Sequence, residues 1–176
     1  LIIKPERYVD DRGFFSESWN KKTFEGIGIF DHFVQDNHSL SETAGTLRGL
    51  HFQYPPVAQA KLVRCGRGSL LDVAVDIRLG SPTFGHWVSE VLSFENGKQL
   101  FIPEGFLHGF VTICAQTEII YKCSNFYNPA AEGIVAFNDP DLSIDWTIPK
   151  KSLHVSVKDR VSVYLRDIKN PFKYEG

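Results

Sequence analysis

Arg48-Gly49-Leu50-His51-Phe52-Gln53 is the stretch from which the rest of the chain can be read. It has the pattern of a short β-strand with one buried face. His51 and Gln53 share one face, while Leu50 and Phe52 point the other way, into a core. Arg48 has the parity of Leu50, so a regular strand turns it away from His51. A bulge at Gly49 would re-aim it. Lys61 follows ten residues after the histidine. A histidine between large apolar neighbours is commonly a core residue bonded to a backbone carbonyl. It becomes a candidate base only if the chain supplies partners for it.

Strand patterns extend in both directions. Downstream, Leu71, Val73, Val75, Ile77 and Leu79 alternate with Asp72, Ala74, Asp76 and Arg78, a period of two held over nine residues. The simplest expectation for Asp72 and Asp76 is a salt-bridged solvent face with Arg78; a pocket role for Asp72 is the other. Trp87 to Phe94 is a further strand, and Glu95-Asn96-Gly97-Lys98 carries the Asn-Gly signal of a tight hairpin. Gln99–Ile102 is a strand, Pro103 to Gly105 a turn, and His108 sits among aromatics in the strand that follows. In Glu118 to Cys123, Ile119, Tyr121 and Cys123 share one face. Ile144-Asp145-Trp146 reads as a last short strand, before a more charged and partly helical tail.

Upstream, Leu1 to Arg7 and Phe14 to Trp19 read as strands around an Asp10–Gly13 turn. In the second, Phe15, Glu17 and Trp19 share one face. Asn20 is placed to cap a short helix that Gly26 ends. Phe33 to Ser39 is a strand whose Gln35, Asn37 and Ser39 form a polar face, suited to solvent or to lining a barrel cavity.

The composition supports this picture. A chain of 176 residues suits one domain, 1–176, with a sizeable core. Its 14 phenylalanines, 14 glycines and 9 prolines fit an all-β protein with tight turns. The net charge of -2 implies no general attraction to nucleic acid or to anionic membrane. Three cysteines without close spacing argue against a disulfide framework or a zinc cluster. No apolar run reaches membrane length and no signal peptide is visible, so a cytoplasmic enzyme is the default. The chain starts at Leu1 without a methionine, so a few native residues are expected to precede it. About ten short strands and one brief helix indicate a double-sheet jelly-roll barrel.

An ordered set of motifs then narrows the class. Asp11-Arg12-Gly13-Phe14-Phe15, Gln35-Asp36-Asn37, Arg48 to Gln53 and Asp76-Ile77-Arg78-x-Gly80-Ser81-Pro82-Thr83 resemble the dTDP-4-dehydrorhamnose 3,5-epimerase family. So do Pro103-x-Gly105-Phe106-x-His108-Gly109-Phe110, Tyr121-Lys122 and Asn138-Asp139-Pro140. The resemblance runs from about Ile3 to Asp159. It implies a cupin-type jelly-roll (double-stranded β-helix) barrel with a few short helices, a homodimer, no cofactor and no metal. The implied reaction inverts C3 and C5 of dTDP-4-dehydro-6-deoxy-D-glucose, giving dTDP-4-dehydro-β-L-rhamnose in dTDP-L-rhamnose biosynthesis.

The same resemblance implies residue roles. His51 is the base, with Asp159 (or, as a fallback, Asp72) supporting its ring. Lys61 faces the ketone oxygen, and Tyr121 returns the proton from the opposite face. Arg12, Arg48 and Lys158 match positions that contact the nucleotide sugar, where arginine suits a diphosphate. Glu17, Gln35, Asn37, His108 and Glu132 match other substrate contacts, and Tyr127 matches an aromatic that stacks on thymine. In a dimer, Arg12 and Glu17 could serve the neighbour's site. The tail after Asp159 lacks an expected proline, which loosens the alignment of Lys158 and Asp159.

Two other classes compete. Pro103-x-Gly105-x-x-His108 resembles part of a metal-dependent cupin, but the chain has His51-x-Gln53 where a His-x-His pair would be needed. A passive sugar-binding barrel needs neither a base nor an acid. Within the family, an enzyme acting at C3 alone or at C5 alone is the nearest alternative.

Overall fold

The structure, a computed structural model, describes residues 1–175. Its strands are β1 (Ile2–Ile3), β2 (Tyr8–Asp10), β3 (Gly13–Phe15), β4 (Gln35–Ser41), β5 (Thr46–Gln53), β6 (Lys61–Arg67) and β7 (Ser69–Asp76), followed by β8 (Trp87–Ser93), β9 (Gln99–Ile102), β10 (Phe106–Thr112), β11 (Thr117–Cys123), β12 (Glu132–Ile134) and β13 (His154–Val155). Two short helices, α1 (Lys21–Gly26) and α2 (Val157–Arg160), complete the set used below. One sheet runs β1-β9-β6-β11-β4. The other runs β12-β5-β10-β7-β8, with β13 added in parallel to β5. This is the all-β jelly-roll barrel that the sequence implied.

The period-2 patterns sort side chains into three layers. Between the two sheets, Val63, Cys65, Leu70, Ala74, Leu92, Leu100, Phe110 and Ile119 form one apolar cluster. It fills one end of the barrel. On the outer face of the second sheet, Leu47, Leu50, Phe52, Leu71, Val73 and Val75 pack under the C-terminal segment through Trp146, Leu165 and Phe172. On the outer face of the first sheet, α1 and the chain after it bury Phe24 and Ile29 against Leu62. Asn20 caps α1, its Oδ1 accepting from the backbone N–H of Lys22.

The bulge in β5 is present. Between the paired positions His108↔His51 and Phe110↔Arg48, β10 advances two residues and β5 three. The extra residue reverses the parity of β5. Arg48 and His51 thereby come to one face, while Leu47, Leu50 and Phe52 stay together in the outer core. Glycine is required here by space and by conformation. Gly49 has φ +126, and a Cβ built on it would lie 2.6 Å from Gly109 Cα and 2.8 Å from His108 O.

Several expectations need correction. Asp72 and Asp76 are not on a solvent face; they are 0% and 1% exposed. Both faces of β7 are covered, one by the barrel interior and one by the C-terminal segment. Asp76 does pair with Arg78, but as a buried hub that also accepts from Ser81 Oγ and Thr83 Oγ1 and so ties down the turn after β7. The Asn96-Gly97 turn does not close a hairpin, because β8 and β9 belong to different sheets. Asn96 Oδ1 accepts from the N–H of Ser93 and of Lys98, and the chain crosses the barrel there. The first strand is only Ile2–Ile3, and the Phe14–Trp19 strand stops at Phe15. Glu17 is therefore not on a strand face. Its carboxylate accepts from Asn20 and Thr23 at the start of α1. Ile144 to Trp146 is irregular; Trp146 is held by its Nε1 donating to Phe137 O. The added strands are β12 and β13.

If close packing at the bulge is what requires glycine, Gly49→Ala will lower the free energy of unfolding by roughly 2–4 kcal/mol. Gly26→Ala, whose built Cβ meets nothing within 4 Å, will shift it by about 1 kcal/mol at most. Denaturant titration of both variants measures the difference, and equal shifts would refute the packing account.

Candidate active site

The mouth of the barrel opposite the apolar cluster holds a cavity of about 300 Å³. Cross-strand register explains its lining. In the first sheet Lys61 lies beside Cys123, and Tyr121 lies beside Asn37. Gln35 is the other neighbour of Cys123. In the second sheet Gln53 lies beside Glu132, and His51 beside His108. The two sheets thus present different chemistry across one space: Lys61 and Tyr121 from one wall, His51 from the other.

His51 Nε2 lies 2.6 Å from Asp159 Oδ1. Asp159 is 3% exposed, and its other oxygen accepts from Ser156 Oγ at 2.9 Å. Ser156 caps α2, its Oγ accepting from the N–H of Asp159, so the helix start positions the carboxylate. Burial works to raise the Asp159 pKa. The hydrogen bond and charge of His51, with the Ser156 hydroxyl, outweigh it and hold the carboxyl below its usual range. With Nε2–H given to Asp159, Nδ1 is the nitrogen left to accept a proton.

Asp72 is engaged elsewhere. Its Oδ1 lies 2.5 Å from His108 Nε2, deep in the barrel, and its Oδ2 has no partner among the described residues. The support for His51 therefore comes from Asp159. His108 is 7% exposed and lies beside His51 on β10, outside the lining of the cavity.

Desolvation lowers the pKa of Lys61, against the pull of Cys123, Asp72 and Glu132. Desolvation raises that of Tyr121, which keeps the phenol protonated; the Arg48 charge opposes this in part. An ammonium and a phenol held in a half-closed, low-dielectric mouth are strong partners for a developing oxyanion or carbanion.

Gln35, Asn37, Tyr127 and Glu132 also line the cavity. Gln35 Oε1 accepts from Tyr127 N–H at 2.8 Å, and Tyr127 Oη donates to Glu132 Oε2 at 3.2 Å. Glu132 is also paired with Lys158. Arg48 and Lys158 line an adjoining cavity that shares the His51 wall. Arg12 and Glu17 lie elsewhere. Arg12 sits at the tip of the β2–β3 hairpin, 86% exposed and bonded to Asp10.

The sequence had not marked Gln53, Gln59 and Cys123 as site residues, yet they line the cavity. Strand parity does put Gln53 on the face of His51 and Cys123 on that of Tyr121. Gln53 is consumed structurally: its amide donates to Val57 O and Phe126 O, and its oxygen accepts from Asn128 N–H. Nothing local in the sequence marks Gln59, which a loop delivers.

A family model described as dTDP-4-dehydrorhamnose 3,5-epimerase matches residues 1–167. A curated protein of that name from Salmonella typhimurium is 51% identical over 166 residues, covering 94% of this chain and 90% of its own. A Legionella pneumophila crystal structure, described as a dTDP-6-deoxy-D-glucose-3,5-epimerase in complex with dTDP-4-keto-L-rhamnose, superimposes with a TM-score of 0.94 at 46% identity, covering 99% and 93% of the two chains. A structure described as a 3'-monoepimerase from Streptomyces bikiniensis in complex with dTDP-quinovose gives 0.84 at 34% identity, covering 94% and 83%. With the motifs in order along the barrel and matches of this extent, the chain belongs to the dTDP-4-dehydrorhamnose 3,5-epimerase family.

Proposed function

We propose that the protein is a cytoplasmic, cofactor-independent isomerase that inverts C3 and C5 of dTDP-4-dehydro-6-deoxy-D-glucose, the step that yields dTDP-4-dehydro-β-L-rhamnose. One observation carries this reading: a carboxylate-supported imidazole on one sheet faces a phenol and an ammonium on the other. Hydrogens on C3 and C5 flank the C4 ketone and are therefore acidic. In the gluco configuration both are axial on the same ring face. One base can take either, and one acid on the opposite wall can return a proton with inversion.

In this scheme His51 Nδ1 removes the proton, and Asp159 stabilises the imidazolium that forms. Lys61 stabilises the enolate oxygen at C4. Tyr121, kept protonated by burial, donates to the carbon from the other face. Gln35, Asn37 and Glu132 hold the sugar, Tyr127 offers a stacking face to the base, and Arg48 and Lys158 meet the diphosphate. His108, paired with Asp72, stands beside His51 on the neighbouring strand of the same sheet. A metal-dependent reading finds less support, because no group of three or more His, Cys, Asp or Glu side chains comes together among the described residues to hold a metal ion. A single-carbon reaction remains the second reading, since the Streptomyces bikiniensis 3'-monoepimerase shares the fold.

Arg12 and Glu17 enter through a homodimer. The β2–β3 hairpin that carries Arg12 exposes Val9 (77%) and Phe15 (70%), an apolar surface suited to a second copy. In that arrangement Arg12 and Glu17 reach the partner's mouth.

Three outcomes test these assignments. In deuterium oxide, NMR will show label entering C3 and C5 of dTDP-4-dehydro-6-deoxy-D-glucose. His51→Asn will abolish this, with kcat down by roughly 10²–10⁴. Tyr121→Phe will retain exchange but lose inversion, since the base can return what it removes. Label at one carbon only would establish the single-site enzyme; none would end the epimerase reading.

Mixed dimers of Arg12→Ala and His51→Asn subunits will recover roughly a quarter of wild-type activity, because half of randomly paired dimers carry one intact site. No recovery would place Arg12 in its own subunit's site, and an Arg12→Ala dimer that is active by itself would place it in no site.

Lys61→Met will raise stability at neutral pH by about 1–2 kcal/mol while removing activity. The sign follows from desolvation. The folded-state pKa lies below the ordinary 10.5, so the penalty is full below that lowered value and vanishes above 10.5. The gain over wild type must therefore shrink as pH rises toward 10.5. A constant gain across thermal melts from pH 7 upward would refute this.

A further inference from the structure

The cavity beyond His51 has a residue with no role in the scheme above. This second cavity, of about 340 Å³, is lined by Arg48, His154, Ser156 and Lys158, with the His51–Asp159 pair at its border with the first. The position of His154 is set by the backbone. β13 runs parallel to β5 with His154 beside Thr46 and Val155 beside Leu47. Leu47 and Val155 face the outer core. His154 and Thr46 therefore face the other way, onto the cavity, one step along from Arg48.

Close backbone approach fixes this register. His154 N–H donates to Gly45 O at 2.8 Å. Gly45 has φ +80, and a Cβ built on it would lie 2.4 Å from Ser152 O, so only glycine lets β13 come this near.

The charges around the cavity are one-sided. Among the described residues Arg48 and His154 make no ion pair. Of the two nearby carboxylates, Asp159 is turned to His51 and Ser156, and Glu132 is engaged by Lys158 and Tyr127. The first cavity is of a size for a hexose ring. A diphosphate attached to C1 must leave it, and the neighbouring space that shares its His51 wall is this one.

We propose that His154 is a further binding residue for the substrate: with Arg48 and Lys158 it grips a phosphate of the nucleoside diphosphate. This rests on the nucleotide-sugar reading above. The imidazole offers at least one N–H in either charge state, so it can donate to a phosphate oxygen beside the Arg48 fork. It touches no reacting atom, so it contributes to binding rather than to the proton transfers.

The test uses the full chain with His154→Leu and His154→Arg. Both sit on an exposed face and preserve the backbone pairing of β13, and melting temperatures check that each variant is folded. His154→Leu is expected to raise KM roughly tenfold with kcat unchanged, and to weaken binding of dTDP and of inorganic pyrophosphate by a similar factor in calorimetry. Thymidine binding is expected to stay constant, and His154→Arg to restore the phosphate-bearing ligands. Unchanged KM and unchanged dTDP binding in His154→Leu would overturn the proposal. So would weakened pyrophosphate binding with dTDP unaffected, since the cavity would then hold a free anion and not the substrate. The calorimetry needs no turnover. Failure of isotope exchange in the wild type would therefore sink the epimerase reading while leaving the His154 result legible by itself.

Discussion

The extra residue in β5 is the constraint on which the rest depends. A strand that alternates regularly cannot send Arg48 and His51 to one face and Leu47, Leu50 and Phe52 to the other. The bulge does so by reversing parity once, between Arg48 and His51. It is possible because β5 and β10 approach at two glycines, Gly49 and Gly109, with a Cβ built on Gly109 only 3.0 Å from Arg48 O. A side chain at either position would push the strands apart, and His51 with them. The outer core and the candidate site are thus two products of one backbone irregularity.

The barrel then divides its interior along its length. The far end is apolar and closed, with Val63, Leu70, Leu92 and Ile119 at 0% exposure. Such packing supplies the stability that the mouth gives up. The mouth and the interior just beneath it bury or half-bury Asp72, Asp159, His108 and Lys61, all costly to desolvate. Three of these costs are offset by pairing: His51 with Asp159, and His108 with Asp72. Lys61 is the exception. It has no hydrogen-bonded carboxylate among the described residues, and desolvation prevails in its lowered pKa. An unsatisfied cation beside an ordered imidazole is poor design for stability and good design for meeting a negative charge that forms only during reaction.

Much of this was legible in the sequence, and the failures have definite causes. Period-2 alternation marked β5, β7 and β11, while the polar Gln35–Asn37 face fitted solvent as well as a cavity, and only the barrel's closure makes it a cavity lining. Arg48 was tied to His51 only through the conditional bulge at Gly49, because parity alone placed it wrongly. Asp72 and Asp76 misled because alternation shows that a strand has two faces but not what covers each. Here the second cover is the C-terminal segment, whose irregular path around Trp146 has no periodicity to read. Asn96-Gly97 misled because the turn chemistry is real, while the choice between a hairpin and a sheet crossing belongs to the whole topology. The Asp159 contact spans 108 residues, and only the resemblance, never a local pattern, connected it to His51.

The opposed walls also limit what can distinguish a double from a single epimerase. In the proposed reaction the base and acid serve either carbon, since both hydrogens lie on one ring face and both inversions pass through an enolate at the same C4 oxygen. Discrimination must then come from how far the ring can shift between His51 and Tyr121 while the oxygen stays on Lys61. That freedom is set by the rim: Gln35 and Asn37 on one side, Glu132 on the other, and the diphosphate grip beyond His51. A tight grip at one end of a ligand restricts the swing of the other. Residues that never approach C3 or C5 can therefore decide which of them reacts, and the catalytic set alone does not fix the outcome.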